Sequence, residues 1–118
     1  MKKAIILTGR ENNGRVIESY QLLIDSDYIS GIYTHNSGET REDFLSDLAQ
    51  RFADALSRQT SPLEIGVLNG YKIPETGKTL RIERIDEALI RDLSQKLESK
   101  LRSKLAGKAH VFTAPNPN

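Results

Sequence analysis

Ala4-Ile5-Ile6-Leu7-Thr8-Gly9, followed by Glu11-Asn12-Asn13-Gly14 and then Val16 to Ile24, is the stretch whose reading decides the fold. The first run is rich in apolar and β-branched residues. Asn-Gly is the strongest short-range hairpin cue, because both residues tolerate positive φ. Val16 to Ile24 then reads as the returning strand, ended by Asp25-Ser26-Asp27. An antiparallel hairpin therefore opens the chain.

Working outward, Tyr28 to Thr34 reads as a third strand, and Gly31 in its middle marks a bulge or a close backbone approach. Thr40 with Asp43 three residues on approximates a capping box, and Glu42 and Asp43 suit the positive end of a helix dipole. From there Phe44, Leu48, Phe52 and Leu56 form one i+4 row beside Leu45, Ala49 and Ala53, an amphipathic helix to about Arg58. Thr60-Ser61-Pro62 is a connector. Leu63 to Ile73 alternates as a fourth strand, and Pro74-Glu75-Thr76-Gly77 turns the chain. Thr79 to Ile85 then alternates as a fifth strand with one wet face. Asp86 caps a last helix whose Leu89, Leu93, Leu97, Leu101 and Leu105 recur every four residues, and Gly107 sits where a C-terminal left-handed residue belongs. His110 to Thr113 suggests a short further strand.

The expectation is an α+β fold, a single domain over residues 1–113 with a frayed tail at 114–118. Its order is βββαββα, an antiparallel-rich sheet with two amphipathic helices packed on one face. Leu7-Thr8-Gly9 and Leu68-Asn69-Gly70 share a pattern, which convergent hairpin chemistry explains better than duplication.

Bulk properties narrow the function. The 118 residues include no cysteine, which excludes a thiolate nucleophile and any cysteine-based zinc site, and points to a reducing, cytoplasmic setting. The four apolar residues after Lys3 fall short of the roughly 7–15 of a signal peptide. No run approaches the ~20 apolar residues of a membrane helix, so no membrane partner is expected. A net charge of +1 predicts no strong whole-molecule attraction to nucleic acid or acidic surfaces.

Thr76-Gly77-Lys78-Thr79 imitates the end of a phosphate loop. However, Lys72 stands where that loop needs glycine, and Leu80-Arg81-Ile82-Glu83 alternates like a strand instead of opening a helix. A hairpin turn is the natural reading. Only His35 and His110 are histidines, neither in a metal-spaced cluster, and Asp25 and Asp27 lack the further oxygens of a calcium loop. Neither a metal nor a cofactor is expected.

Two stretches carry candidate chemistry. His35 to Arg41 links a strand end to a helix N-terminus, where anion-binding and catalytic groups often sit. Within it, His35 suits a general base and Ser37 or Thr40 a nucleophile or anion ligand, with Arg41 the fourth candidate of the loop. The same residue types serve equally as turn and cap. The last helix carries Lys96, Lys100, Arg102, Lys104 and Lys108 against Glu98, a face suited to an acidic partner or nucleic acid. Cations also suit a helix C-terminus for dipole reasons, and no aromatic residues interleave for base stacking. The leucine row is core and not zipper, because a strict i+4 row drifts ~40° per step while a coiled coil alternates three and four.

Ala4 to Leu7 and Leu22 to Ile24 are apolar on both sides, so the sheet face away from the helices needs a cover, for which a second copy of the chain is the expected candidate. The leading expectation is a non-catalytic protein-interaction or regulatory module, homodimeric. The alternatives are a nucleic-acid-associated protein using Lys96 to Lys108, and a small enzyme or anion-binding domain centred on His35 to Arg41.

Overall fold

The computed structural model describes residues 2–12, 14–25, 27–59, 63–105 and 109–111. In chain order the elements are β1 (Lys2–Asn12), β2 (Val16–Ile24), β3 (Asp27–Thr34), α1 (Arg41–Ser57), β4 (Leu63–Asn69), β5 (Tyr71–Lys72), β6 (Leu80–Arg81), α2 (Glu87–Leu105) and β7 (Ala109–Val111). The fold is a mixed α+β domain of the predicted class.

The opening hairpin forms as expected. β1 pairs antiparallel with β2 from Ala4↔Ile24 to Asn12↔Val16, and Gly14 takes a positive φ of 84° at the turn. β2 pairs antiparallel with β3 without interruption from Ile17↔Thr34 to Ile24↔Asp27. On the other side of β1 the chain returns through α1 and lays β4 parallel to it, and β4 in turn pairs parallel with β7 after α2. Helical crossovers are what parallel neighbours require. The five-stranded sheet thus runs β3-β2-β1-β4-β7, with the longer ladders antiparallel. Leu7 and Thr8 stand directly beside Leu68 and Asn69, so the two similar tripeptides occupy one register on adjacent parallel strands.

Both helices pack on one sheet face. Thr40 caps α1, its hydroxyl accepting the Asp43 N–H at 3.1 Å, and the Asp86 carboxylate accepts the Ala88 N–H at 3.0 Å at the head of α2. Phe44, Leu48, Phe52 and Leu56 of α1 and Ile90, Leu93, Leu97 and Leu101 of α2 are buried against Ala4, Ile6, Tyr20, Leu22, Ile65 and Val67. Over Leu93, Leu97 and Leu101 the leucine ridge is core, as its drift predicts. Each such side chain contributes ~1.5–3 kcal/mol on burial.

The alternation of Leu63 to Ile73 does not continue as one strand. β4 stops at Asn69, and Gly70, at φ +94°, turns the chain while its N–H donates to the Thr8 carbonyl at 2.6 Å. β5 and β6 then pair only with each other, so the predicted strand from Thr79 to Ile85 shrinks to two residues and an isolated Arg10↔Glu83 bridge. The Asn69 amide replaces the missing ladder. Its Oδ1 accepts the Ile85 N–H at 3.0 Å and its Nδ2 donates to the Ile85 carbonyl at 2.9 Å.

Residues 70–85 cover part of the second sheet face. Leu7 is buried, a Cβ at Gly9 would overlap the Ile82 side chain, and Gln21 holds both the N–H and the C=O of Ile73 at 2.7 Å. The rest stays open, with Ile5, Tyr28 and Ile32 exposed at 40%, 45% and 56%. Gly107, Lys108, Thr113 and the tail at 114–118 lie outside the described residues. No described helix is long and apolar enough to cross a membrane.

Candidate functional site

The loop from His35 to Arg41 is organised around a residue that sequence reading passed over. Glu18 lies on the same inward parity of β2 as Tyr20 and Leu22, and it is buried. Arg41 meets it with both prongs, Nε to Oε1 at 3.1 Å and Nη2 to Oε2 at 2.6 Å, and Tyr20 donates its hydroxyl to Oε1 at 2.9 Å. Such bidentate charge-assisted contacts are among the strong ones. Burial, reinforced by the Glu18 carboxylate, pushes the Tyr20 phenol well above the tyrosine range, and hydrogen bonding to Glu18 raises Arg41 further. The Arg41 guanidinium also stacks on Tyr33 at 5.1 Å, whose hydroxyl donates to the Glu39 carbonyl at 3.1 Å.

Of the four loop candidates, His35 and Arg41 come together and Ser37 and Thr40 do not join them. His35 is half exposed, its Nε2 3.8 Å from Glu18 and 3.4 Å from Arg41 Nη2. Ser37 Oγ accepts the Glu39 N–H at 3.3 Å, and Thr40 is the helix cap. The arrangement ties a strand end to a helix start and aims no base at a nucleophile. Among the described residues, no group of three His, Asp or Glu is placed to hold a metal ion.

The basic end of α2 is met by acids one helical turn away and by Glu42 of α1, which linear distance hides. Lys96 Nζ lies 2.8 Å from both Asp92 and Glu42, which raise its pKa. Lys100 donates to Gln50 at 3.2 Å, and Arg102 pairs with Glu98 at 3.2 Å. The side chain of Lys104 and all of Lys108 lie outside the described part. Lys96 and Arg102 are therefore balanced locally.

β3 presents a different kind of surface. It ends the sheet, paired on one side with β2 alone. The Ser30 carbonyl takes a hydrogen bond from Arg51 Nη2 at 3.1 Å and the Thr34 carbonyl takes the Ser37 N–H at 3.2 Å, so these even-numbered residues direct their backbone away from β2. Antiparallel alternation gives Tyr28 and Ile32 the same outward direction. A hollow lies on each side of this edge. One, about 490 Å³, is on the open sheet face between Ser19, Gln21, Tyr28, Ile32 and the Ile73–Thr76 segment. The other, about 460 Å³, lies between Gly31 and the Glu39, Phe44, Asp47 and Arg51 side of α1. Ser19 Oγ is buried with no hydrogen-bond partner among the described residues.

No known family profile matches the chain, and no curated protein sequence matches it. Among solved structures, T. thermophilus RuvC in complex with Holliday junction substrate aligns with 96% of this chain, at 8% identity and a TM-score of 0.41. The alignment spans 64% of that protein's length.

Proposed function

We propose that this chain is a non-catalytic protein-interaction module that takes up an extended segment along β3. One observation carries the reading. The outward edge of β3 is flanked by hollows of about 490 and 460 Å³, one on each face of the sheet. Successive side chains of an added strand point to opposite faces, so such a strand would seat alternate residues in the two hollows while its backbone completes the ladder. Exposed Tyr28 and Ile32 supply apolar contact beside the first hollow. The clamp around Glu18 holds the end of β3 and the start of α1 in fixed relation, which keeps the edge preformed.

The test is an NMR hydrogen-exchange titration of the chain with an excess of the synthetic peptide Asp27 to Thr34, the strand it carries itself. Slowed exchange confined to the amides of Tyr28, Ser30 and Ile32, and lost in Ser30→Pro, supports strand addition. Exchange at those amides that is fast both before and after the peptide is added, or that changes equally in Ser30→Pro, contradicts it.

A further inference from the structure

We propose that the segment taken up by β3 is β3 of a second copy of this chain, in an antiparallel two-fold pair centred on Ser30; the inference rests on the strand-addition reading above. The register follows from the backbone. Tyr28, Ser30 and Ile32 carry the outward groups, and centring on Ser30 sets Ser30 against the partner's Ser30 and Tyr28 against the partner's Ile32. Residues directly opposite share a face, so two exposed apolar side chains cover one another on the open sheet face, an aromatic against a β-branched residue. The strand is its own complement.

The charges on α1 obey the same symmetry. α1 runs back along β3: Phe44, Asp47 and Leu48 lie by Gly31 and Ile32, Arg51 by Ser30, and Arg58 by Asp27 and Tyr28. Its exposed charges by this edge are acidic towards the start, Asp47, and basic towards the end, Arg51, with Arg58 following at the C-cap. A two-fold axis through Ser30 sets the acidic half of one helix beside the basic half of its partner. Arg51 then exchanges its contact with the Ser30 carbonyl, which the new ladder uses, for the partner's Asp47.

Ser19 lies opposite Ile32 in the β2–β3 register, so the partner's Tyr28 extends the row Ser19, Ile32 on the open face. Ser19 stands two strand spacings, roughly 9.6 Å, from the backbone of the partner's Tyr28, so that ring covers Ile32 and closes the open face beside Ser19.

The absence of cysteine makes a direct test available. In a hydrogen-bonded antiparallel pair the facing Cα atoms are ~5.5 Å apart, inside the ~4.4–6.8 Å that a disulfide spans. Ser30→Cys alone should cross-link into a dimer under mild oxidation. Tyr28→Cys alone should not, but it should when mixed with Ile32→Cys. Asp47→Arg and Arg51→Asp should each weaken self-association, by roughly two- to five-fold for an exposed pair, and mixing those two variants should restore it. A one-chain mass for the unmodified protein at micromolar concentration overturns the second-copy inference, and the peptide titration then decides the strand-addition reading separately. A dimer that neither cross-links through Ser30→Cys nor responds to Ser30→Pro assembles through another surface and overturns the second-copy inference.

Discussion

At the scale of single residues, the buried Glu18 carboxylate ties β2 to the loop after β3 and to α1, through Tyr20, His35 and Arg41. Arg41→Ala leaves it buried without a cation. Breaking a buried pair costs about 3–5 kcal/mol, and since Arg41 is one-third exposed the loss should lie towards the lower end, with Arg41→Lys recovering only part of it. Urea unfolding at unchanged m-value checks this; a loss under half a kcal/mol on the scale of exposed pairs contradicts it. Tyr20 gives a pH signature. Its phenol titrates higher in the folded chain than the ~10 of an unfolded one, so below about pH 10 both states hold the proton and its stabilisation is complete. Above that the unfolded chain releases the proton first, so stability falls as pH rises. Tyr20→Phe should flatten that alkaline fall, and an identical slope in wild type and variant would count against the buried phenol. The Thr40 cap was legible because its partner Asp43 is three residues away. The Glu18–Arg41 pair spans 23 residues, and its only local signal was a glutamate on the apolar parity of a strand.

At the scale of elements, close approach and side-chain pinning replace regular pairing at two places. Gly31 lets α1 press on β3, since a Cβ there would overlap Leu48 Cδ1. Gly31→Ala should cost ~1–3 kcal/mol by overpacking and widen the groove beside Phe44 and Asp47. Thermal unfolding measures the first effect, and an unchanged midpoint would refute the tight contact. Asn69→Ala removes both bonds to Ile85 and should cost ~1–3 kcal/mol, with faster hydrogen exchange at Ile85 ahead of the rest of the domain. Helices were readable from periodicity because each buries one face on a single core. The run from Leu63 to Ile73 misled because alternation reports side-chain parity and says nothing of the turn at Gly70. The parallel placement of β4 was equally silent, since a strand buried by a crossover helix carries no local mark of its neighbour's direction.

At the scale of the whole molecule, the chain covers part of its own second sheet face and leaves the β3 side open. The excess of apolar strand surface in the sequence was a correct sign that cover is needed, and residues 70–85 provide it over Leu7 and Gly9. What remains is an edge with outward backbone groups, two flanking hollows and a strand that matches itself. Proline at position 30 should silence that edge without unfolding the sheet, because the backbone of Ser30 points away from β2 and proline is tolerated where the missing N–H faces outward. The most direct measurement is therefore the light-scattering mass of the wild type beside Ser30→Pro at micromolar concentration, with circular dichroism confirming the fold of both. The wild type should run at twice the 13.2 kDa of one chain, and Ser30→Pro at that of a single chain. A variant that keeps the two-chain mass, or a wild type that runs as one chain and leaves its β3 amides unprotected by the peptide, would contradict the account.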